Sequence, residues 1–155
     1  MNEGISVDEP HADRRRWMAV LARATGVELA ALLQRHQTVP PYIKLRGPEA
    51  GLVMVRGRAG GGGAPFNLGE MTVTRCTVRL ESGPVGHAYV AGRDARQAEL
   101  AAVIDAMLQD PAHASALQQN VVRPLAEAQQ ARRDAIAAKA AATKVNFFAM
   151  RNMRA

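Results

Sequence analysis

Between residues 42 and 91 the hydrophobic pattern runs at a period of two and no helical stretch interrupts it. Successive side chains of a strand point to opposite faces, so this alternation reads as strand. "YIKLRG" sets Ile43 and Leu45 on one face, and "LVMVRGR" sets Val53 and Val55 against Arg56 and Arg58. "MTVTRCTVRL" gathers Cys76, Val78 and Leu80 opposite Arg75, Thr77 and Arg79, and "GHAYVAG" separates Ala88 and Val90 from His87 and Tyr89. The "SGPVG" before the last segment is a hairpin connection. Consecutive strands without crossover helices predict an antiparallel meander of about four strands, and one apolar face per strand predicts one covered side.

The cover comes from the flanks, where the period changes. Asp13 is placed to cap a helix whose face is Trp17, Val20, Leu21 and Ala24, ending at Gly26. A second helix runs from Val27 to about His36 with Leu29, Leu32 and Leu33 on one side, stopped by Pro40 and Pro41. From Asp94, with Gln97 completing a capping box, a third carries Leu100, Val103, Ile104, Met107 and Leu108. Asp110 and Pro111 open a fourth with Ala114, Leu117 and Val121 inward, and Pro124 marks a break or the next first turn. The alanine-rich stretch after it predicts a long helix with few large apolar side chains, Leu125 and Ile136 chief among them. In the closing "VNFFAMRNMRA", Phe147, Phe148 and Met150 lie in a basic tail beyond the helical pattern, which suggests docking to a partner. The expected architecture is α+β: a flexible 1–12, a single domain over 13–144 and a partner-docking tail over 145–155.

The chain of 155 residues fits one domain. Its 48% hydrophobic fraction leans on alanine and only 4% is aromatic, so Leu, Val, Ile, Met and Ala must build the core. The single cysteine, Cys76, excludes an internal disulfide and a thiolate metal site within the chain, and reads as a small core hydrophobe in a cytoplasmic protein. No apolar run approaches the roughly 20 residues needed to cross a bilayer and the start carries no apolar leader, so neither membrane insertion nor export is expected. A net charge of +6 and a pI near 10.4 admit nucleic acid, a phosphorylated small molecule or an acidic protein as partner.

The glycine run in "GRAGGGGAPF" invites a phosphate-loop reading, and the spacing refuses it. Gly63 stands where a Walker lysine belongs, and the run enters Pro65 and a strand rather than a helix. It reads as a bend between strands that a partner could order. The ligand-binding candidates are Arg56, Arg58 and Arg75 with the backbone of Gly61 and Gly63. If the registers allow, Lys44, Arg46, Arg56, Arg58, Arg75 and Arg79 form one basic sheet face with Tyr42, His87 and Tyr89 among them; the alternative is a solvated face. His87 near Glu70 could serve as acid or base, but a surface strand histidine is the plainer reading. No HxH or HExxH spacing offers a metal site, and no catalytic residue is assigned.

"RRRWMAVLARA", "GLVMVRGRAGGGGAPFNLGEMTVTRCTVRL", "VGHAYVAGRDARQAELAAVIDAM" and "AAATKVNFFAMR" together closely resemble the PhnG family, subunits of the bacterial carbon-phosphorus lyase system, over roughly Arg14 to Arg151. The loop departs slightly, with Gly62 where the family often carries threonine. The resemblance implies a subunit that is not catalytic alone, assembling with PhnH, PhnI and PhnJ and working functionally with PhnL. It implies that PhnI, with the PhnG-type subunit, PhnH and PhnL, couples methylphosphonate to ATP, displacing adenine to leave ribose 1-methylphosphonate 5-triphosphate. It implies no cofactor held by this chain alone, with ATP and a phosphonate as substrates of the complex. The alternative is a basic binding module for a phosphorylated ligand without a catalytic role; nucleic acid is disfavoured by the few aromatics and the lack of a helix-turn-helix or RNP pattern. A homo-oligomer of the isolated chain is a further expectation, through an empty strand edge or tail.

Overall fold

The computed structural model describes residues 11–36 and 38–144; the expected docking tail, with Phe147, Phe148 and Met150, lies outside the described residues. In chain order the elements are α1 (Ala12–Arg23), α2 (Gly26–His36), β1 (Tyr42–Arg58), β2 (Pro65–Leu80), β3 (Val85–Ala91), α3 (Ala95–Leu108), α4 (Pro111–Leu117) and α5 (Arg123–Ala142). The sheet is an antiparallel meander in the order β1-β2-β3.

Three strands stand where about four were expected, because "YIKLRG" and "LVMVRGR" are one 17-residue strand. The "GPEAG" between them looks like a break. Pairing with β2 nonetheless continues through it, from Arg46 opposite Thr77 to Glu49 opposite Arg75, with the extra residues absorbed as bulges. Gly47 sits there at φ 68, and a Cβ on it would lie 2.5 Å from the Arg75 carbonyl oxygen, so only glycine lets the two backbones meet.

The covered face is the one expected for β2 and β3, where Cys76, Val78, Leu80, Ala88 and Val90 are buried under the helices. On β1 the expected faces are reversed: in the second half Leu52 and Met54, not Val53 and Val55, continue the helix side, and the first half shows the same change. Tyr42 opposes Leu80 and Lys44 opposes Val78, so these two face the helices, and Ile43 and Leu45 are about half exposed on the outside. The reason is polar: the Tyr42 hydroxyl donates to Glu99 Oε1 of α3 at 2.8 Å, and Lys44 Nζ lies 3.5 Å from the same carboxylate. Burial first, then Glu99, pushes the Tyr42 phenol up to about 12.

α3 is the central helix, apolar nearly all round because α1, α2 and α4 pack on the sides that the sheet leaves free. Asp94 caps it by accepting from the Gln97 amide at 2.9 Å. The Gln97 side chain does not close the capping box; it donates to the Ala22 and Ala24 carbonyls and ties off the end of α1. α3 lies so close to β3 that a Cβ on Gly86 would overlap the Ala102 carbonyl oxygen and lie 2.5 Å from the Ala106 amide nitrogen.

The helix starts are set locally. Asp13 falls inside the first turn of α1 rather than capping it, paired with Arg16 at 3.0 Å. α2 carries a full capping box: the Glu28 amide donates to the Thr25 hydroxyl at 3.2 Å and the Glu28 carboxylate accepts from the Thr25 amide at 2.8 Å. That backbone bond holds the Glu28 carboxyl below its usual range. Pro124 does not break the chain: a π-helical turn at Gln118–Val122 joins α4 to α5, with the proline in the first turn of α5. α5 packs through Leu125 and Gln129, whose side chain donates to the Val20 carbonyl at 2.9 Å, and Arg132 reaches Glu28 at 3.1 Å. Residues 133–144 are exposed throughout, Ile136 included.

Candidate functional site

The densest polar constellation is buried rather than open. Asp105, on the sheet side of α3, has no exposed surface. Its carboxylate accepts from Arg14 Nη2 at 2.7 Å, Arg14 Nε at 3.2 Å, Trp17 Nε1 at 2.8 Å and the His87 backbone amide at 2.9 Å. Arg14 and Gln109 both donate to the Val85 carbonyl, at 3.2 and 2.8 Å. The outer edge of β3 is therefore occupied at Val85 and His87 by side chains of α1 and α3. Gln109 Nε2 adds a longer contact at 3.5 Å, and this carboxylate is a tie between three elements; with its acceptor sites taken, no capacity is left for general-base work.

The open constellation is the far end of the hairpin. β3 ends opposite Val73, and the last bond to the third strand is the Gly92 amide to the Thr72 carbonyl at 2.9 Å. Beyond it, residues 51–58 and 65–72 form a two-stranded arm about 26 Å long, at roughly 3.3 Å per residue. Of the eleven large apolar residues exposed among the described residues, five lie on this arm. Leu52 and Met54, 63% and 52% exposed, are opposite Thr72 and Glu70 and prolong the helix-facing surface past the last helix. Phe66 pairs with Gly57 on the other face, and Leu68 lies over Gly57, its Cδ2 3.8 Å from where a Cβ would stand. Each side of the arm thus carries exposed apolar side chains, with Thr72 and Glu70 beside Leu52 and Met54 on the first.

At its tip, the glycine run makes the turn. Ala59–Gly61 form one 3₁₀ turn with Gly60 at φ 62, and the Gly63 amide donates to the Ala59 carbonyl at 3.3 Å. That amide is thus spent in the turn itself, and the Gly63 carbonyl accepts from Arg58 at 3.0 Å. Arg56, Gly57, Arg58 and Pro65 line a shallow open depression.

The expected basic face is divided. Lys44 is on the helix side with Glu99, while Arg46 and Arg75 both hold Glu49, at 2.6 and 2.7 Å, and keep its carboxyl below its usual range. Arg56 opposes Asn67, eight residues along β2 from Arg75, so about 26 Å separates them. Arg56 and Arg58 come together at the tip with Gly61 and Gly63; Arg75 does not join them. Among the described residues the His87 ring meets the Thr77 hydroxyl, 3.1 Å from its Nδ1, and not a carboxylate; Glu70 lies out on the arm opposite Met54. Cys76 is buried, and burial pushes its thiol up.

A cleft of about 220 Å³ between α1 and β3 is lined mostly by apolar groups, Met18, Ala22 and Val90 among them. Among the described residues no group of three His, Cys, Asp or Glu is placed to hold a metal ion, and no helix is long and apolar enough to cross a membrane.

Known proteins give this arrangement a context. The family described as phosphonate metabolism protein PhnG matches residues 12–152. A Rhizobium meliloti (strain 1021) protein named alpha-D-ribose 1-methylphosphonate 5-triphosphate synthase subunit PhnG is 48% identical over 149 residues, covering 94% of this chain and 92% of its own. Two of the stretches behind the resemblance meet at one carboxylate: "RRRWMAVLARA" supplies Arg14 and Trp17, and "VIDA" supplies Asp105. The chain belongs to the PhnG family of phosphonate metabolism proteins.

Proposed function

We propose that this chain is the PhnG-type subunit of a ribose 1-methylphosphonate 5-triphosphate synthase. The observation that carries the reading is the near full-length match to a protein bearing that name. In the reaction a phosphonate oxygen attacks the ribose C1 of ATP, the glycosidic bond to adenine breaks, and adenine leaves. This chain contributes assembly to that reaction, and the partner subunits contribute the bond chemistry. Four of its carboxylates fit such a division: Asp105 takes donors from α1 and β3, and Glu28, Glu49 and Glu99 are each tied to neighbours. PhnH, PhnI and PhnJ are the proposed physical partners and PhnL a functional one, in the cytoplasm, with the 145–155 tail docking onto PhnI.

A second reading rests on the tip. Arg56 and Arg58 flank one depression on the arm, and two guanidinium groups there suit a polyanion such as the triphosphate of ATP, neutralising charge without breaking bonds.

The test is adenine release from ATP and methylphosphonate by the cognate PhnH, PhnI and PhnL with and without this chain. Release that depends on the chain supports the proposal; equal release without it overturns the subunit reading. Arg56→Glu with Arg58→Glu, assayed with this chain at a concentration that saturates its partners, should raise the ATP concentration needed for half-maximal release, if the triphosphate reading holds.

A further inference from the structure

We infer that the 51–72 arm is an insertion element that seats, on both faces at once, in an apolar cleft of a partner subunit whose far end is acidic; this rests on the reading of the chain as a synthase subunit. A two-stranded ribbon is at best marginally stable alone in water, and stable ones gain a third strand or a packed face. The body of the sheet has both, from β3 and the helices; among the described residues the arm has neither. Leu52 and Met54 on one side and Phe66 and Leu68 on the other are each 45% exposed or more. A strand pair with exposed apolar side chains on both faces, interrupted on one by Thr72 and Glu70, matches an environment that encloses it rather than a flat surface.

Area and charge choose the occupant. About 26 Å of ribbon, roughly 10 Å wide, offers on the order of 250 Å² per face. Two arms of this chain laid face to face would bury far less than the roughly 1,000 Å² total of a specific interface, whereas a cleft closing on both faces takes on the order of 500 Å² from the arm alone. The tip carries Arg56 and Arg58, neither in an ion pair among the described residues, and the whole chain is +6. A second copy would bring like charge to the tip; carboxylates at the end of a partner's cleft would meet it with opposite charge.

The experiment is binding of the full-length chain to the purified cognate PhnH–PhnI–PhnJ subcomplex, by interferometry and size-exclusion chromatography. The variants are Leu52→Ser with Met54→Ser, Phe66→Ser with Leu68→Ser, and Arg56→Glu with Arg58→Glu. All six positions are exposed, so far-UV circular dichroism and the urea midpoint should stay at the wild-type values. Each serine pair should weaken binding about thirtyfold or more, and the charge reversal should weaken it about tenfold and reverse the sign of its salt dependence. Wild-type affinity in all three variants would overturn the insertion. Loss with only one serine pair would overturn the two-faced cleft. An isolated chain that is a dimer, dissociated by the serine pairs while subcomplex binding is unchanged, would assign the arm to a second copy. Failure of the wild-type chain to bind would overturn the subunit reading and this inference with it.

Discussion

Replacing Asp105 by asparagine should be the most damaging isosteric change in the molecule. The side chain keeps its volume, so no cavity forms and packing is not at issue. What changes is the match of donors to acceptors. The carboxylate takes hydrogen bonds from Arg14, Trp17 and the His87 amide, with zero exposure of its own. An amide offers one acceptor oxygen, and its NH₂ must then face donors at 2.7–2.9 Å, either the Arg14 and His87 pair or the Trp17 indole side. It also leaves the Arg14 guanidinium, only 25% exposed, without its counter-charge. Removing one partner of a buried pair costs about 3–5 kcal/mol. At about 2–4 °C per kcal/mol for a chain of this size, the midpoint should fall by roughly 6–20 °C. Urea unfolding of the isolated chain, followed by far-UV circular dichroism, measures the loss directly. Arg14→Met should cost a similar amount, because it leaves the fully buried Asp105 carboxylate without its counter-charge, with only the indole and amide donors to hold it. A double-mutant cycle between the two positions should show coupling above about 1 kcal/mol. A loss below about 1 kcal/mol for Asp105→Asn would refute the claim that this carboxylate joins α1, β3 and α3.

Three further outcomes follow from the fold. Gly86→Ala should destabilise by about 3 kcal/mol or more, since its methyl would overlap the α3 backbone at Ala102; calorimetry reads this as a large drop in Tm. The chain has two tyrosines, so absorbance titration of Tyr89→Phe isolates Tyr42, with an expected midpoint near 12 that falls only partly in Glu99→Gln, because burial is the larger cause. Its protonated form is favoured by folding, so this stabilisation is complete below the free phenol value near 10 and is lost as pH rises through about 12. Glu28→Gln should cost about 0.5–1 kcal/mol at pH 7. Because folding lowers the Glu28 pKa from 4.5, the deficit should close as pH falls below that value, which urea midpoints between pH 7 and 3 would trace.

The sequence made the central helix plain, since Asp94 and a continuous apolar window bracket it. It made the strands plain too, but not which way the first one faces. Alternation has no sign: Ile43 and Leu45 are more apolar than Tyr42 and Lys44, yet a phenol and an ammonium that can reach Glu99 take the helix side. The merger of two expected strands was hidden because "GPEAG" carries every local mark of a turn, and only pairing with β2 holds it extended. The arm did leave a signal. Leu52, Val53, Met54 and Val55 are apolar at both parities, the pattern of a strand covered on two faces, in a chain with helices enough for one. Asp105 was visible as a lone acid inside the stripe from Val103 to Leu108, where a carboxylate is tolerated only with partners. The partners themselves, 91 and 88 residues away, could not be read from spacing.

The end of helix cover at Val73 also divides the molecule in time. Amides of β2 from Val73 to Leu80 are sealed between two strands and beneath helices, so they exchange with solvent only when most of the fold opens. Those of the arm need only the ribbon to part, an event that leaves the core undisturbed. Free in solution, the chain therefore has a fast-breathing limb on a slow body, and the boundary falls within a residue or two of Gly51 and Val73. A partner that closes on the limb abolishes the faster of the two clocks, so occupancy is written in the exchange rates of residues far from any change in the core.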